Sequence, residues 1–172
     1  MIIVGCVYGW MAVLTIHGKV TLCRHLIMGF IIILAAAIDL GTYVLPDILT
    51  LGGALIALIS SGKSFSAAFL GSLIGLGVMF CITILSSGGM GGGDVKLGLT
   101  IGAFVGWPSI ISALAISFLL GGAWGSILIL AKKRKKTDYI PFGPFLALGT
   151  LIASLWGQEL IKWYLTAIWG WM

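Results

Sequence analysis

SFSAAFLGSLIGLGVMFCITILSSGGMGGG, residues 64–93, contains no Asp, Glu, Lys or Arg. A helix through the hydrocarbon core of a bilayer takes roughly 20 mostly apolar residues, and the first two-thirds of this stretch supply them. Its end, Ser86-Ser87-Gly88-Gly89-Met90-Gly91-Gly92-Gly93, has five glycines in eight positions. Glycine loses the most backbone freedom on ordering, so the helix is predicted to break there. Beyond Asp94 and Lys96 a second charge-free stretch occupies residues 97–131. The whole chain has 172 residues, 60% hydrophobic and 9% charged. Soluble domains carry about 25% charged residues, so the chain reads as an integral membrane protein.

Working outward, apolar runs predict helices over residues 2–16, 23–39, 47–61, 64–85, 94–106, 108–131 and 145–169. Pro46 suits the first turn of the third, and Trp107-Pro108 closes the fifth. Trp156, Trp163, Tyr164, Trp169 and Trp171 crowd the last, as aromatics do near membrane interfaces. The expected fold is all-α, a polytopic membrane bundle of six to seven membrane helices. Residues 1–172 form one integral membrane domain with no separate soluble domain. The first run lacks a basic leader and a small-residue cleavage site, so it reads as a retained helix. Gly71 and Gly75, and Gly98, Gly102 and Gly106, recur every four residues and predict close helix packing.

The net charge of +5 does not signal nucleic acid, because half of the ten basic residues form the block Lys132–Lys136. A basic cluster directly after an apolar run marks the cytoplasmic side and can touch anionic lipid. That orientation puts the N-terminus in the cytoplasm. Asp39, Asp47, Asp94 and Asp138 then share the cytoplasmic face, with Lys19, Arg24, Lys63, His17, His25 and Glu159 on the other side. Cys6, Cys23 and Cys81 are isolated, with no C-x-x-C pair and no zinc spacing. No metal site and no cofactor is expected.

Asp39 closes one apolar helix and Asp94 opens another. Ionisable groups at membrane depth are costly and carry function by default. Asp94 also suits a helix cap, which would explain an acid after glycines but not so long a glycine run, nor the matching Asp39. Two carboxyls brought together at one membrane edge share a proton and suit acid–base chemistry on a peptide bond. Asp47 reads as an N-terminal helper of its helix.

Three stretches resemble the type 4 prepilin peptidases. Asp39-Leu40-Gly41-Thr42-Tyr43-Val44-Leu45-Pro46-Asp47 is similar to their first motif. Gly91-Gly92-Gly93-Asp94-Val95-Lys96-Leu97 is similar to the second, Gly-x-Gly-Asp followed by x-Lys-Leu. Ile140-Pro141-Phe142-Gly143-Pro144-Phe145-Leu146-Ala147 is similar to the third. The resemblance implies a membrane aspartic endopeptidase of the bacterial inner membrane, its active site facing the cytoplasm. It implies cleavage of the basic leader from type 4 prepilins or type 2 secretion pseudopilins after a glycine. Asp39 and Asp94 match the family's catalytic pair. Gly91, Gly92, Gly93, Lys96, Pro46, Asp47, Pro141, Gly143 and Pro144 fall in supporting or substrate-binding positions, the Pro141–Pro144 stretch as scaffold or wall. The implied partners are a prepilin or pseudopilin helix and membrane lipid. The larger bifunctional members carry C-x-x-C pairs associated with N-methylation. This sequence has none, so methyl transfer is not expected.

Two rivals stand beside this reading. A preflagellin-type or other Gly-x-Gly-Asp protease shares the mechanism and differs in substrate. A noncatalytic scaffold or small transporter is the other; a transporter needs a polar route across the bilayer, and the midplane here is nearly free of charge.

Overall fold

The computed structural model describes residues 18–86, 90–132 and 141–170. They form six α-helices: α1 (Gly18–Thr42), α2 (Asp47–Ile59), α3 (Phe65–Leu85), α4 (Gly92–Val105), α5 (Ser109–Leu130) and α6 (Gly143–Trp169). A short 3₁₀ turn, Gly62–Ser64, leads into α3, and the described residues contain no strand. Segments Cys23–Thr42, Phe65–Leu85, Ser109–Leu130 and Gly143–Ile168 are long and apolar enough to cross a membrane. With 13 and 14 residues, α2 and α4 rise only about 20 Å, short of the ~30 Å hydrocarbon core. The expected helix over residues 2–16, Lys133–Lys136 and Asp138 lie outside the described residues.

Several helix bounds differ from the expectation: α1 runs Gly18–Thr42 rather than 23–39, α6 starts at Gly143 rather than 145, and two starts differ in how glycine and proline act. The glycine run does not hold α4 off until Asp94: Gly92 and Gly93 are helical and Asp94 is the third residue. An extended Gly91 precedes them, and glycine's entropic cost is offset once tertiary packing fixes the helix. Pro46 is not in the first turn of α2 but caps it from the extended region, with φ −64° and ψ 134°.

The tightest seam joins α3 and α4, which run antiparallel. A β-carbon on Gly71 would strike the Gly102 carbonyl, and one on Gly75 the Gly98 carbonyl. Backbones this close exclude any side chain, which is the packing predicted from the four-residue spacing. α5 and α6 also pair antiparallel, Gly121 lying against Phe142 and Gly149 against Ser117. Phe118 and Phe142 stack at 5.0 Å between them.

Ile32, Met79, Leu97, Ile101, Ile110 and Leu146 fill the interior, while Phe30, Ile48, Ile59, Leu85 and Leu130 face outward. An outer surface so rich in large apolar groups suits lipid, not water. Two buried hydroxyls bond within their own helices: Ser117 donates to the Ala113 carbonyl at 2.7 Å and Thr150 to that of Leu146 at 2.6 Å.

Arg24, at the end of the bundle away from Asp39, has a local reason for its place. The Trp107 N–H turns aside to the Ala67 carbonyl. Ala103 therefore keeps an orphan carbonyl in the last turn of α4. The Arg24 guanidinium donates to it at 2.7 Å. A cation at a helix C-terminus is favoured by the dipole.

Candidate active site

The end of α1, the start of α2, the start of α4 and the start of α6 meet at one end of the bundle. Asp39 sits in the last turn of α1 and Asp94 in the first turn of α4. Their relative exposures are 1% and 2%, and both line one cavity of about 330 Å³. The structure thus brings the two acids together.

Each carboxyl is held by a helix N-terminus, where backbone N–H groups lack intrahelical partners. Asp39 Oδ2 accepts the Gly143 N–H at 2.8 Å, joining α1 to α6 across 104 residues of chain. Only a residue without a side chain fits there, because a β-carbon on Gly143 would lie 2.7 Å from Asp39 Oδ2. Asp94 Oδ2 reaches back to the Gly91 N–H at 3.2 Å. The capping role foreseen for Asp94 is therefore real, and it occupies one oxygen only. Asp94 Oδ1 is buried with no hydrogen-bond partner among the described residues.

A buried orphan oxygen is costly, and such groups mark sites where a further polar partner acts. Asp94 stands on α4, which is not among the helices long enough to cross. Burial first, and then the nearby Asp39 carboxyl, push the Asp94 carboxyl up to about 7, against the pull of the Gly91 N–H. Two carboxyls in one cavity hold a proton between them more easily than two charges. Such a pair can give and take protons near neutral pH.

Gly91, Gly92, Gly93, Asp47 and Lys96 also line the cavity. Asp47 stands in the first turn of α2, where an acid suits the helix dipole, but no side chain caps that helix, and its carboxylate also takes the Lys96 ammonium at 2.5 Å. The pair is solvated, with Lys96 38% and Asp47 61% exposed, and it ties α2 to α4 at the cavity rim. Deeper in the same seam, Thr100 Oγ1 donates to the Thr50 carbonyl at 2.5 Å. Gly143, read as scaffold or wall, touches Asp39 directly. Pro144 stands in the first turn of α6 and Pro141 two residues before that helix. Pro46, Pro141, Gly143 and Pro144 are not among the cavity-lining residues.

Sequence reasoning passed over Tyr43, Val44 and Leu45, which form part of the wall. Tyr43 adopts φ 57°, a left-handed conformation that turns the chain out of α1. Leu45 packs on Gly93, where a β-carbon would meet it at 3.0 Å. The signal was their position between the two acids of one motif. No group of three or more potential metal ligands occurs among the described residues.

The model of the type IV leader peptidase family matches residues 26–126, a span that holds Asp39, the glycine run and Asp94. The chain is similar to the prepilin leader peptidase/N-methyltransferase of Aeromonas hydrophila, 36% identical over 150 residues, 82% of this chain and 52% of that protein. The protein of the same name from Legionella pneumophila is 34% identical over 147 residues, 79% of this chain and 50% of that one. That of Bacillus subtilis (strain 168) is 34% identical over 108 residues, 63% of this chain and 44% of that one. The chain spans about half the length of these relatives. No solved structure is significantly similar to it.

Proposed function

We propose, since this chain belongs to the type IV leader peptidase family, that it is a Gly-x-Gly-Asp aspartic endopeptidase with Asp39 and Asp94 as its catalytic pair. One observation carries the reading: two buried carboxyls from different helices line a single cavity. The ionised carboxyl takes a proton from water as the water oxygen adds to the scissile carbonyl carbon. The protonated carboxyl gives its proton to the carbonyl oxygen. When the C–N bond breaks, the first carboxyl passes its proton to the leaving amine. The second recovers a proton from the collapsing diol. The pair ends with the one proton it began with.

The substrate is a type 4 prepilin or type 2 secretion pseudopilin, cut after the glycine that ends its basic leader. The relatives' shared name supports this, and the side-chain-free wall Gly91–Gly93 lets a peptide backbone come close. The cavity faces the cytoplasm in the bacterial inner membrane, on the argument of the Lys132–Lys136 block. The chain is read as a bundle of six to seven membrane helices; of the six among the described residues, α2 and α4 are too short to cross by themselves. The relatives' name joins two activities; the acid pair and its cavity support the peptidase.

The test is purified chain with a panel of membrane-embedded prepilins, the new amino terminus being sequenced with a methyl donor present. One unmethylated cut after the glycine is expected, absent from folded Asp39→Asn and Asp94→Asn. Full cleavage by either variant refutes the pair. A cut within the apolar helix points to a different intramembrane protease.

A further inference from the structure

A second cavity, of about 320 Å³, lies at the end of the bundle away from Asp39 and Asp94. The start of α1, the C-terminal end of α4, the first residue of α5 and the second half of α6 wall it. Arg24 enters from α1 and Glu159 from α6, and these opposite charges make no ion pair with each other. The Arg24 guanidinium spends one Nη2 donor on the Ala103 carbonyl; its buried Nε has no partner among the described residues. His25 and the buried Ser109 add polar groups, and Met28 and Phe104 an apolar floor. Charges set into membrane helices are costly and mark a bound group.

A simple anion would answer Arg24 and leave it facing the Glu159 carboxylate. A simple cation would do the reverse. A zwitterion answers both. We propose that this cavity holds a phosphoethanolamine headgroup, its phosphate on the Arg24 guanidinium and its ammonium on Glu159. Guanidinium forks match phosphate oxygens, and carboxylates accept from ammonium. A cavity of this size has room for roughly ten waters, and the headgroup has about eight non-hydrogen atoms. A membrane chain meets this chemistry as phosphatidylethanolamine; free phosphoethanolamine presents the same groups.

The test is native mass spectrometry of the full chain taken from vesicles with equal phosphatidylethanolamine and phosphatidylglycerol of matched tails. Wild type should retain phosphatidylethanolamine about tenfold over phosphatidylglycerol, the scale of a charge-assisted hydrogen bond. Glu159→Gln, at an exposed position, should abolish or reverse that preference. Arg24→Gln should lose both lipids. Displacement of the lipid by free phosphoethanolamine supports the site with the soluble headgroup as an occupant; retention against it supports the site with the lipid as occupant. Equal retention of both lipids by wild type, or an unchanged preference in folded Glu159→Gln, overturns the proposal. Because the readout is lipid retention, it is separate from any failure of the peptidase reading.

Discussion

Gly143→Ala is expected to slow prepilin cleavage about 100-fold while leaving the chain folded. The added β-carbon would lie 2.7 Å from Asp39 Oδ2, 3.0 Å from Asp39 Cβ and 3.1 Å from Cγ. Comfortable contact begins near 3.4 Å, so the carboxyl must retreat by roughly 0.7 Å. Its bond to the Gly143 N–H, now 2.8 Å, then passes the ~3.2 Å limit of good geometry. Losing a hydrogen bond to a charged group costs about 1.5–3 kcal/mol, or one to two orders of magnitude in rate. A displacement of about 1 Å at reacting atoms has the same scale, ~100-fold. The assay is kcat and KM on a membrane-embedded prepilin, with thermal unfolding in detergent alongside. The expected signature is a fall in kcat with KM nearly unchanged. Gly122→Ala on α5, where a β-carbon meets nothing within 4 Å, serves as the control and should cleave like wild type. A folded Gly143→Ala with wild-type kcat would refute the idea that α6 positions Asp39.

Asp94→Asn should raise stability at pH 8 and lose that gain near pH 4. A carboxyl pushed up to about 7 stabilises the fold fully below its unfolded value near 4, and that contribution is lost as pH rises through 7; unfolding curves at the two pH values check this. In the wild type, cleavage should decline above about pH 7 as the cavity loses its shared proton, which a pH–rate profile reads. Gly102→Ala should cost about 3 kcal/mol, since its β-carbon lies 2.9 Å from Ser72 Cα and against the Gly71 carbonyl, backbone that cannot yield; chemical unfolding measures it. Lys96→Gln should cost at most about 1 kcal/mol, because its ion pair with Asp47 is solvated.

The long helices α3 and α5 were legible because no charge interrupts them. For α3 the charge-free run places the ends within one residue, 64–85 expected and Phe65–Leu85 found. The two acids were legible as well, since an aspartate in an apolar chain has few bland explanations, and the structure puts both in one cavity. What stayed hidden was tertiary. Gly143 meets Asp39 across 104 residues, and no local pattern announces a backbone N–H as the partner of a distant carboxyl. Asp47 at a helix start reads as a cap until α4 presents Lys96. Arg24 reads as a topology marker until Ala103 loses its N–H partner to the turn at Trp107. For Asp47 and Arg24, short-range chemistry was right about the residue's charge and blind to the partner another helix would bring.

The depth of the acid pair follows from one spacing. Arg24 and Asp39 stand fifteen residues apart on α1, about 22 Å at 1.5 Å per residue. A hydrocarbon core of about 30 Å is longer than that, so the two groups cannot both lie outside it. A free arginine would reach for the surface along its stem. Arg24 is instead tied to the Ala103 carbonyl, and Asp39, with a short side chain tied to Gly143, has no stem to extend. α1 itself ends three residues beyond Asp39, at Thr42. The carboxyls are recessed within the bundle and open into the cavity they line. The short helices create that recess. α4 covers a shorter interval, about 14 Å over the nine residues from Asp94 near Asp39 to Ala103, and the long Arg24 side chain reaches across the remainder. A helix of full crossing length in its place would start higher and fill the space in which both acids now face a common cavity.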